Sequence, residues 1–228
     1  MGFVPVGSDQ LLFGIHEVTR KDFSAFVKNK GGAFSVSNSW EPLDENVSSG
    51  DAETLPVVNI SWEEADAFCR WLTEWERSQG LLHPQQQYRI PTDAEWDLAV
   101  LLSTDSSIAS DSFPWGNRPG TRSVGNYGAV RFMVGESEVV LSDSFPSLAP
   151  VGQFSSNRFG LFDLGGNVRE WCLLSGPSNS DQRMARGGSW KDLDRSRILS
   201  EFRESLPADA RHDDLGFRVV LSLGEGIQ

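Results

Sequence analysis

An α+β class is predicted for this 228-residue chain, and three observations predict it. Two segments carry apolar residues at every third or fourth position, and each opens on a capping box. From about residue 105 the helical period gives way to short apolar runs punctuated by Gly, Pro, Asn and Ser. Long irregular stretches separate these elements, as expected of an α+β protein with little regular structure. No internal repeat, linker or low-complexity block divides the chain, which predicts one domain over 1–228.

Taken in order, Leu11–Thr19 reads as a strand, and Thr19 then caps a short helix with Phe23, Phe26 and Val27 on one face. Residues 29–55 are rich in Gly, Ser and Asn without a period, which predicts an irregular surface loop. Ser61-Trp62-Glu63-Glu64 places a hydroxyl at the N-cap and a carboxylate three residues on. The recurrence of Trp62, Ala65, Phe68, Cys69, Leu72 and Trp75 predicts an amphipathic helix over 61–77 with that face buried. Thr92 and Glu95 repeat the capping pattern, with Trp96, Ala99 and Val100 on the apolar side. Short strands are predicted at Phe113–Asn117, Val139–Leu141, Phe159–Leu161 and, last, Gly216–Leu221.

Composition narrows the function classes. Lys and Arg total 20 against 32 Asp and Glu, a net charge of −12 that argues against nucleic acid as a partner. No run of about 18 apolar residues is present, so no membrane insertion is expected. The start, Met1-Gly2-Phe3-Val4-Pro5-Val6, lacks the basic and apolar regions of a signal peptide. A cytoplasmic chain is expected, beginning at the edge of a domain within a longer protein. Two cysteines cannot build a disulfide framework, and His16, His83 and His212 are too scattered for a zinc site. G-x-x-x-x-G-K-[ST], H-E-x-x-H and G-x-S-x-G are all missing. The acidic excess suits solubility or hard cations such as calcium.

A series of ordered motifs then carries a family resemblance. Glu17-Val18-Thr19, Pro56-Val57-Val58-Asn59-Ile60-Ser61-Trp62, Arg89–Trp96 and Pro114-Trp115-Gly116-Asn117 come first. Asn157–Asp163, Gly166-Asn167-Val168-Arg169-Glu170-Trp171, Arg186-Gly187-Gly188-Ser189-Trp190 and Gly216-Phe217-Arg218 follow. Together they resemble the formylglycine-generating enzyme (sulfatase-modifying factor) family. The resemblance implies a C-type-lectin-like fold, often stabilised by calcium. Active members oxidise a cysteine in a sulfatase peptide, using two cysteines after the Gly-Gly-Ser turn that hold copper(I).

Here those two positions fall, by motif spacing, on Asp192 and Arg197, and no cysteine follows Cys172. A carboxylate is a hard ligand and a guanidinium is none, whereas copper(I) needs soft sulfur. No copper and no family-type oxidation are therefore expected. Cys69 sits on the apolar helix face and Cys172 follows Trp171; core packing is the expectation for both, with their pairing left open. Some relatives pair a cysteine at position 69 with one just after Gly-Phe-Arg, where this chain has Val219.

The resemblance also implies two calcium sets. Asp163 and Glu170 would give carboxylates and Gly166 and Val168 carbonyls, with Gly165-Gly166 permitting the turn that brings Asp163 round. In the second set Asn126 and Asp143 would give side-chain oxygens and Tyr127 and Phe145 carbonyls. Such an ion would be structural. In the implied fold, the segment from Trp190 to Asp214 lies where relatives bind their peptide. The variable proteins of diversity-generating retroelements vary exposed residues there to bind ligands. The candidate ligand-binding residues are Trp190, Lys191, Asp192, Asp194, Arg197, Arg211, His212, Asp213 and Asp214. Arg203 and Arg218 are expected to brace the fold through buried carboxylates. The N-terminal lead resembles that of such domains on bacterial serine/threonine protein kinases. The expectation is thus a non-catalytic domain binding a protein or peptide ligand, regulatory or sensory in a kinase. The alternatives are a metal-dependent oxidase and a retroelement-diversified receptor.

Overall fold

The structure, a computed structural model, describes residues 1–29, 52–100, 112–116, 124–141, 143–174 and 181–224. Most of the loop predicted over 29–55 lies outside the described residues, as does Asn117. The first sheet begins with β1 (Phe3–Val6), a strand the sequence reading did not pick out, paired antiparallel with β2 (Ser8–Gly14). Gly7, at φ +72°, makes the turn between them. β2 starts earlier and stops earlier than predicted. Beyond Gly14 the chain leaves the ladder, and single bonds such as Val18 N–H to the Phe217 carbonyl (2.9 Å) replace it.

Helix α1 (Arg20–Asn29) starts where Thr19 Oγ1 accepts from Asp22 N–H at 3.2 Å, and it buries Phe23 and Phe26. Helix α2 (Trp62–Ser78) carries the full capping box: Glu64 N–H donates to Ser61 Oγ (3.3 Å) and Ser61 N–H to Glu64 Oε2 (2.8 Å). Its face of Ala65, Phe68, Cys69 and Leu72 forms the main core with α1 and Phe217. Phe68 lies 5.9 Å from Phe23 and 5.4 Å edge-on from Phe217. Each such ring contributes roughly 1.5–3 kcal/mol by leaving water. The apolar stripe outruns this core: Trp75, predicted buried, is 43% exposed and stacks on Trp71, which is itself only partly buried at the core's edge. Helix α3 (Asp93–Val100) repeats the box, Thr92 N–H donating to Glu95 Oε2 at 2.8 Å, and fully buries Trp96.

β3 (Gln87–Arg89) and β10 (Val220–Ser222) complete the first sheet, in the order β1-β2-β10-β3. A hairpin of β4 (Val130–Val134) and β5 (Ser137–Leu141) stands apart and contains the strand predicted at Val139–Leu141. The last sheet has the order β8-β7-β6-β9, from β6 (Arg169–Cys172), β7 (Gln182–Arg186), β8 (Arg203–Pro207) and β9 (Leu215–Gly216). The strand predicted over Gly216–Leu221 is therefore two strands in two sheets. The chain crosses between them at Phe217-Arg218-Val219, where both Phe217 and Arg218 turn fully inward.

Two other predicted strands are turns. Phe113 and Gly116 exchange backbone bonds of 3.0 and 2.8 Å across Pro114-Trp115. Asn157 Oδ1 accepts from Phe159 and Leu161 N–H (3.0 and 3.2 Å), and that side chain holds the loop without any ladder. Cys69 and Cys172 are both free and buried, in separate core clusters, so they do not pair. Among the described residues no helix is long and apolar enough to cross a membrane.

Candidate functional site

The Gly-Gly-Ser turn is built on close approach. Gly187 has φ +76°, and a side chain there would meet the Leu164 carbonyl oxygen at 2.8 Å; at Gly188 it would meet Ile198 Cγ2 at 2.9 Å. Ser189 is thereby driven to full burial, between two carboxylates. Its hydroxyl lies 2.9 Å from Asp214 Oδ2 and 3.3 Å from Asp192 Oδ2, and its N–H donates to Asp192 at 2.8 Å. From here a ring closes. Asp192 Oδ1 accepts from Arg197 Nε (2.6 Å), and Arg197 Nη2 reaches Glu204 (3.3 Å). Glu204 is bound in turn by Arg169, which donates to Asp214 Oδ1 at 2.6 Å. Burial would raise the Asp214 carboxyl, but the Arg169 guanidinium and the Ser189 hydroxyl hold it below its usual range.

The two positions at which the resemblance puts copper-binding cysteines are thus joined as an ion pair. Both Asp192 oxygens are engaged, and Arg197 also stacks on Phe202 at 4.6 Å. These residues do not fit copper(I): no soft ligand is on offer.

The nine ligand-surface candidates divide. Asp192 and Asp214 are buried members of the ring, and half-buried Arg197 closes it. Arg211 pairs with Glu64 and donates to the Asn59 carbonyl (3.2 Å), which ties it to the start of α2. His212 Nδ1 lies 3.1 Å from Arg169 Nη2, backing the ring. Asp194 caps the 3₁₀ turn Arg195–Ile198 through Ser196 N–H at 2.9 Å, a bond that holds its carboxyl below the usual range. Trp190, Lys191 and Asp213 come together on the outside. Lys191 pairs with Asp213, and its ammonium sits 5.0 Å from the Trp190 ring centre. Trp190 Nε1 donates to the Asp213 carbonyl at 3.4 Å.

The first calcium set is differently placed. Glu170 is fully buried and bound by Arg218 (2.7 and 3.1 Å to its two oxygens), with Trp96 Nε1 at 3.3 Å. Asp163 Oδ2 accepts from Gly152 N–H at 2.7 Å, while its Oδ1 is buried with no hydrogen bond. Glu17, which the sequence reading gave no role, joins this cluster: it is buried, with Oε1 also unsatisfied. Burial, then the neighbouring Asp163, pushes the Glu17 carboxyl well up; burial pushes Asp163 up to about 6.

Gly165 and Gly166 lie in the expected turn, closed by Gly166 N–H donating to the Asp163 carbonyl at 3.3 Å, and they have a second part as well. The left-handed positions are Asp163 (φ 63°) and Asn167 (φ 65°), and the glycines make room for Pro114, Trp115 and Tyr127. Of the second set, Tyr127 and Phe145 present N–H groups to Asp143 (2.8 and 2.6 Å), and the buried Asn126 Oδ1 is unsatisfied. Among the described residues no group of three or more His, Cys, Asp or Glu is gathered in metal-binding geometry.

The expectation for Arg218 holds. Arg203 is only half-buried, and it shares Asp93 and Asp97 with the fully buried Arg186, which is the brace there. Sequence reasoning also missed Arg169 and Ser189 as ring members. Both stand in the quoted motifs; Asp192 is three residues from Ser189, but Asp214 is 25 residues from it, and Glu204 and Asp214 are 35 and 45 residues from Arg169.

A small α+β scaffold whose Gly-Gly-Ser turn organises one polar face is the class defined by this geometry. The chain belongs to the sulfatase-modifying factor enzyme 1-like domain family, whose description matches residues 6–223. The inactive Cα-formylglycine-generating enzyme 2 of Mus musculus is 30% identical over 253 residues, covering 92% of this chain and 74% of the relative. The formylglycine-generating enzyme of Streptomyces coelicolor is 31% identical over 183 residues (72% and 51%). The serine/threonine-protein kinase pkn1 of Chlamydia pneumoniae is 26% identical over 185 residues, which are 74% of this chain but 24% of the kinase. Among solved structures, Treponema denticola variable protein 1 superposes with a TM-score of 0.66 at 20% identity, covering 97% of this chain and 91% of that one.

Proposed function

We propose that the chain is a non-catalytic member of its family that binds a protein or peptide ligand. The observation that carries this reading is the Asp192–Arg197 ion pair, 2.6 Å long, at the two positions where the resemblance calls for sulfur. A thiol pair there would be a reagent. A carboxylate–guanidinium pair held in a closed ring is a strut, and it fixes the loop that presents Trp190, Lys191 and Asp213. An indole flanked by opposite charges is the composition of an interface hot spot. Similarity to an inactive relative supports the reading, while similarity to enzymes keeps oxidation as its rival. The test is mass spectrometry of a sulfatase-type cysteine peptide incubated with the protein and copper(I). Unchanged peptide is expected, and conversion to an aldehyde sinks the proposal. The variant carrying Asp192→Cys and Arg197→Cys together should gain copper(I) binding that the parent lacks.

The regulatory or sensory role in a serine/threonine kinase is part of the same proposal. Its support is the kinase similarity, confined to about a quarter of that relative. Calcium as a structural cofactor is proposed on the buried oxygens left unsatisfied, Asp163 Oδ1 in one set and Asn126 Oδ1 in the other. Glu170 does not fit as a ligand while Arg218 holds it, so the ion would rest on the remaining oxygens. Thermal melts with calcium and with chelator test this; a higher midpoint with calcium is expected, and equal midpoints count against it.

A further inference from the structure

We propose that the cavity between α1, α2 and strand β1 binds an organic cation of the quaternary ammonium class. The cavity measures about 550 Å³, the size of a small-molecule site, and none of its lining residues belongs to the Ser189 ring. Its walls are aromatic. Trp71 and Trp75 stack at 6.3 Å with 26° between planes, and Phe3 meets Tyr88 at 5.5 Å. Trp75 is 43% exposed, so an indole face stands open to water at the mouth of a concavity. Single exposed apolar residues are ordinary, but a contiguous aromatic wall in a concave place marks a ligand site.

Charge decides which ligand. The polar groups at this cavity include Asp22 and Glu76. Asp22 accepts from Thr19 Oγ1 (2.6 Å) and Glu76 from Tyr88 Oη (2.7 Å), so both carboxylates are positioned by neutral donors. Among the described residues neither is paired with a Lys or Arg. Aromatic faces attract cations through their negative quadrupole, and two carboxylates reinforce that attraction. A net charge of −12 draws cations toward the surface as a whole. Met1 brings the N-terminal ammonium to the rim, but with two carboxylates and no Lys or Arg among the lining residues the cavity disfavours an anion. An apolar group would use the rings and leave the carboxylates without a role, and a neutral sugar would donate hydroxyls to the carboxylates but gain nothing from their charge. A quaternary ammonium group uses both, and its diffuse charge sheds water more cheaply than a primary ammonium does.

The experiment titrates the protein with choline, with its neutral isostere 3,3-dimethylbutan-1-ol, and with glucose. Calorimetry and tryptophan fluorescence provide the readouts at matched ionic strength. Saturable binding of choline is expected, about 10-fold or more tighter than the isostere, consistent with the strength of partly desolvated cation–π contacts. Trp75→Ala should weaken it by about 10-fold, and Glu76→Gln, which keeps the bond to Tyr88 and removes the charge, by roughly 3-fold or more. Trp190→Ala, on the other face, should leave it unchanged. Equal binding of choline and isostere, preference for glucose, or no saturable binding overturns the proposal. So does a dimer that Trp75→Ala returns to monomer, because a second copy then covers the rings.

Discussion

Arg218 and Arg169 are both buried arginines that face more than one carboxylate, yet their surroundings are balanced differently. Around Arg218 stand Glu17, Asp163 and Glu170, and only Glu170 is held in an ion pair. In the ring at Ser189, Arg169 and Arg197 share Asp192, Asp214 and Glu204, and every one of these acids is paired. The consequences follow from desolvation. Where guanidinium nearly matches carboxylate, Asp214 stays ionised below its usual range despite burial. Where carboxylate is in excess, Glu17 and Asp163 are pushed up, and each keeps an oxygen without a hydrogen bond. The ring is a strut whose carboxylates are all paired; the group it leaves over is a donor, Arg169 Nε, buried without a hydrogen bond. The inner cluster has an outstanding demand for a proton or a cation.

The largest effect that separates the two should come from Arg218→Met. It leaves three carboxylates in the interior without a counter-charge, and a loss of about 3–5 kcal/mol is expected in urea melts. Arg169→Met should cost less, because Glu204 keeps Arg197 and Asp214 keeps Ser189. Equal losses would erase the contrast.

The second effect is on pH. Asp163 has a folded value of about 6 against 3.8 unfolded, so between those values the folded state holds a proton that the unfolded state does not. Stability from this group therefore rises as pH falls through the window, by at most about 3 kcal/mol. Glu17 acts in the same sense, starting above its unfolded 4.5. His16, held below 6.5 by burial, acts in the opposite sense and removes stability as it charges. Asp214, depressed in the ring, contributes stability above 3.8 that is lost in more acid solution. Comparing melts of the parent and Asp163→Asn from pH 7 to 4 isolates the Asp163 part, which the variant should lose. Saturating calcium should flatten the parent's rise as well, since an ion on that carboxylate replaces the proton.

How much of this was legible depended on distance along the chain. The capping boxes at Ser61 and Thr92 join residues three apart, and both are present as read. The stripe of α2 was legible too, except at Trp75, since periodicity marks a face and does not say how far along it the core reaches. Glu17 stood in a quoted motif without a role, because its neighbours Asp163 and Glu170 come from far along the chain. The ring was half visible: the family spacing drew attention to Asp192 and Arg197, but nothing local pairs Arg169 with Glu204 or Ser189 with Asp214. At Gly165-Gly166 the turn is legible and present, but the close approach of Tyr127, Pro114 and Trp115 is not, because glycine serves both turns and close contacts.

A third variant sharpens the idea of the ring as a strut. Asp192→Ala removes the acceptor for Ser189 N–H and leaves Arg197 only its longer pair with Glu204, for an expected loss of about 1–3 kcal/mol. The smallest effect is expected at Lys191→Ala. Its partner Asp213 is on the surface, with side chains 41% and 55% exposed, and such pairs contribute about 0–1 kcal/mol. The midpoint of unfolding should therefore barely move. Binding should respond in the opposite proportion. Lys191 covers one side of the Trp190 ring and fixes Asp213, so its removal alters the charge and the shape that a partner would meet. For a protein or peptide ligand, once in hand, Lys191→Ala should weaken affinity several-fold at unchanged stability. Asp192→Ala should weaken both. If Lys191→Ala leaves affinity intact while Asp192→Ala abolishes it at unchanged stability, the ring itself is the contact surface and its role as a strut is lost.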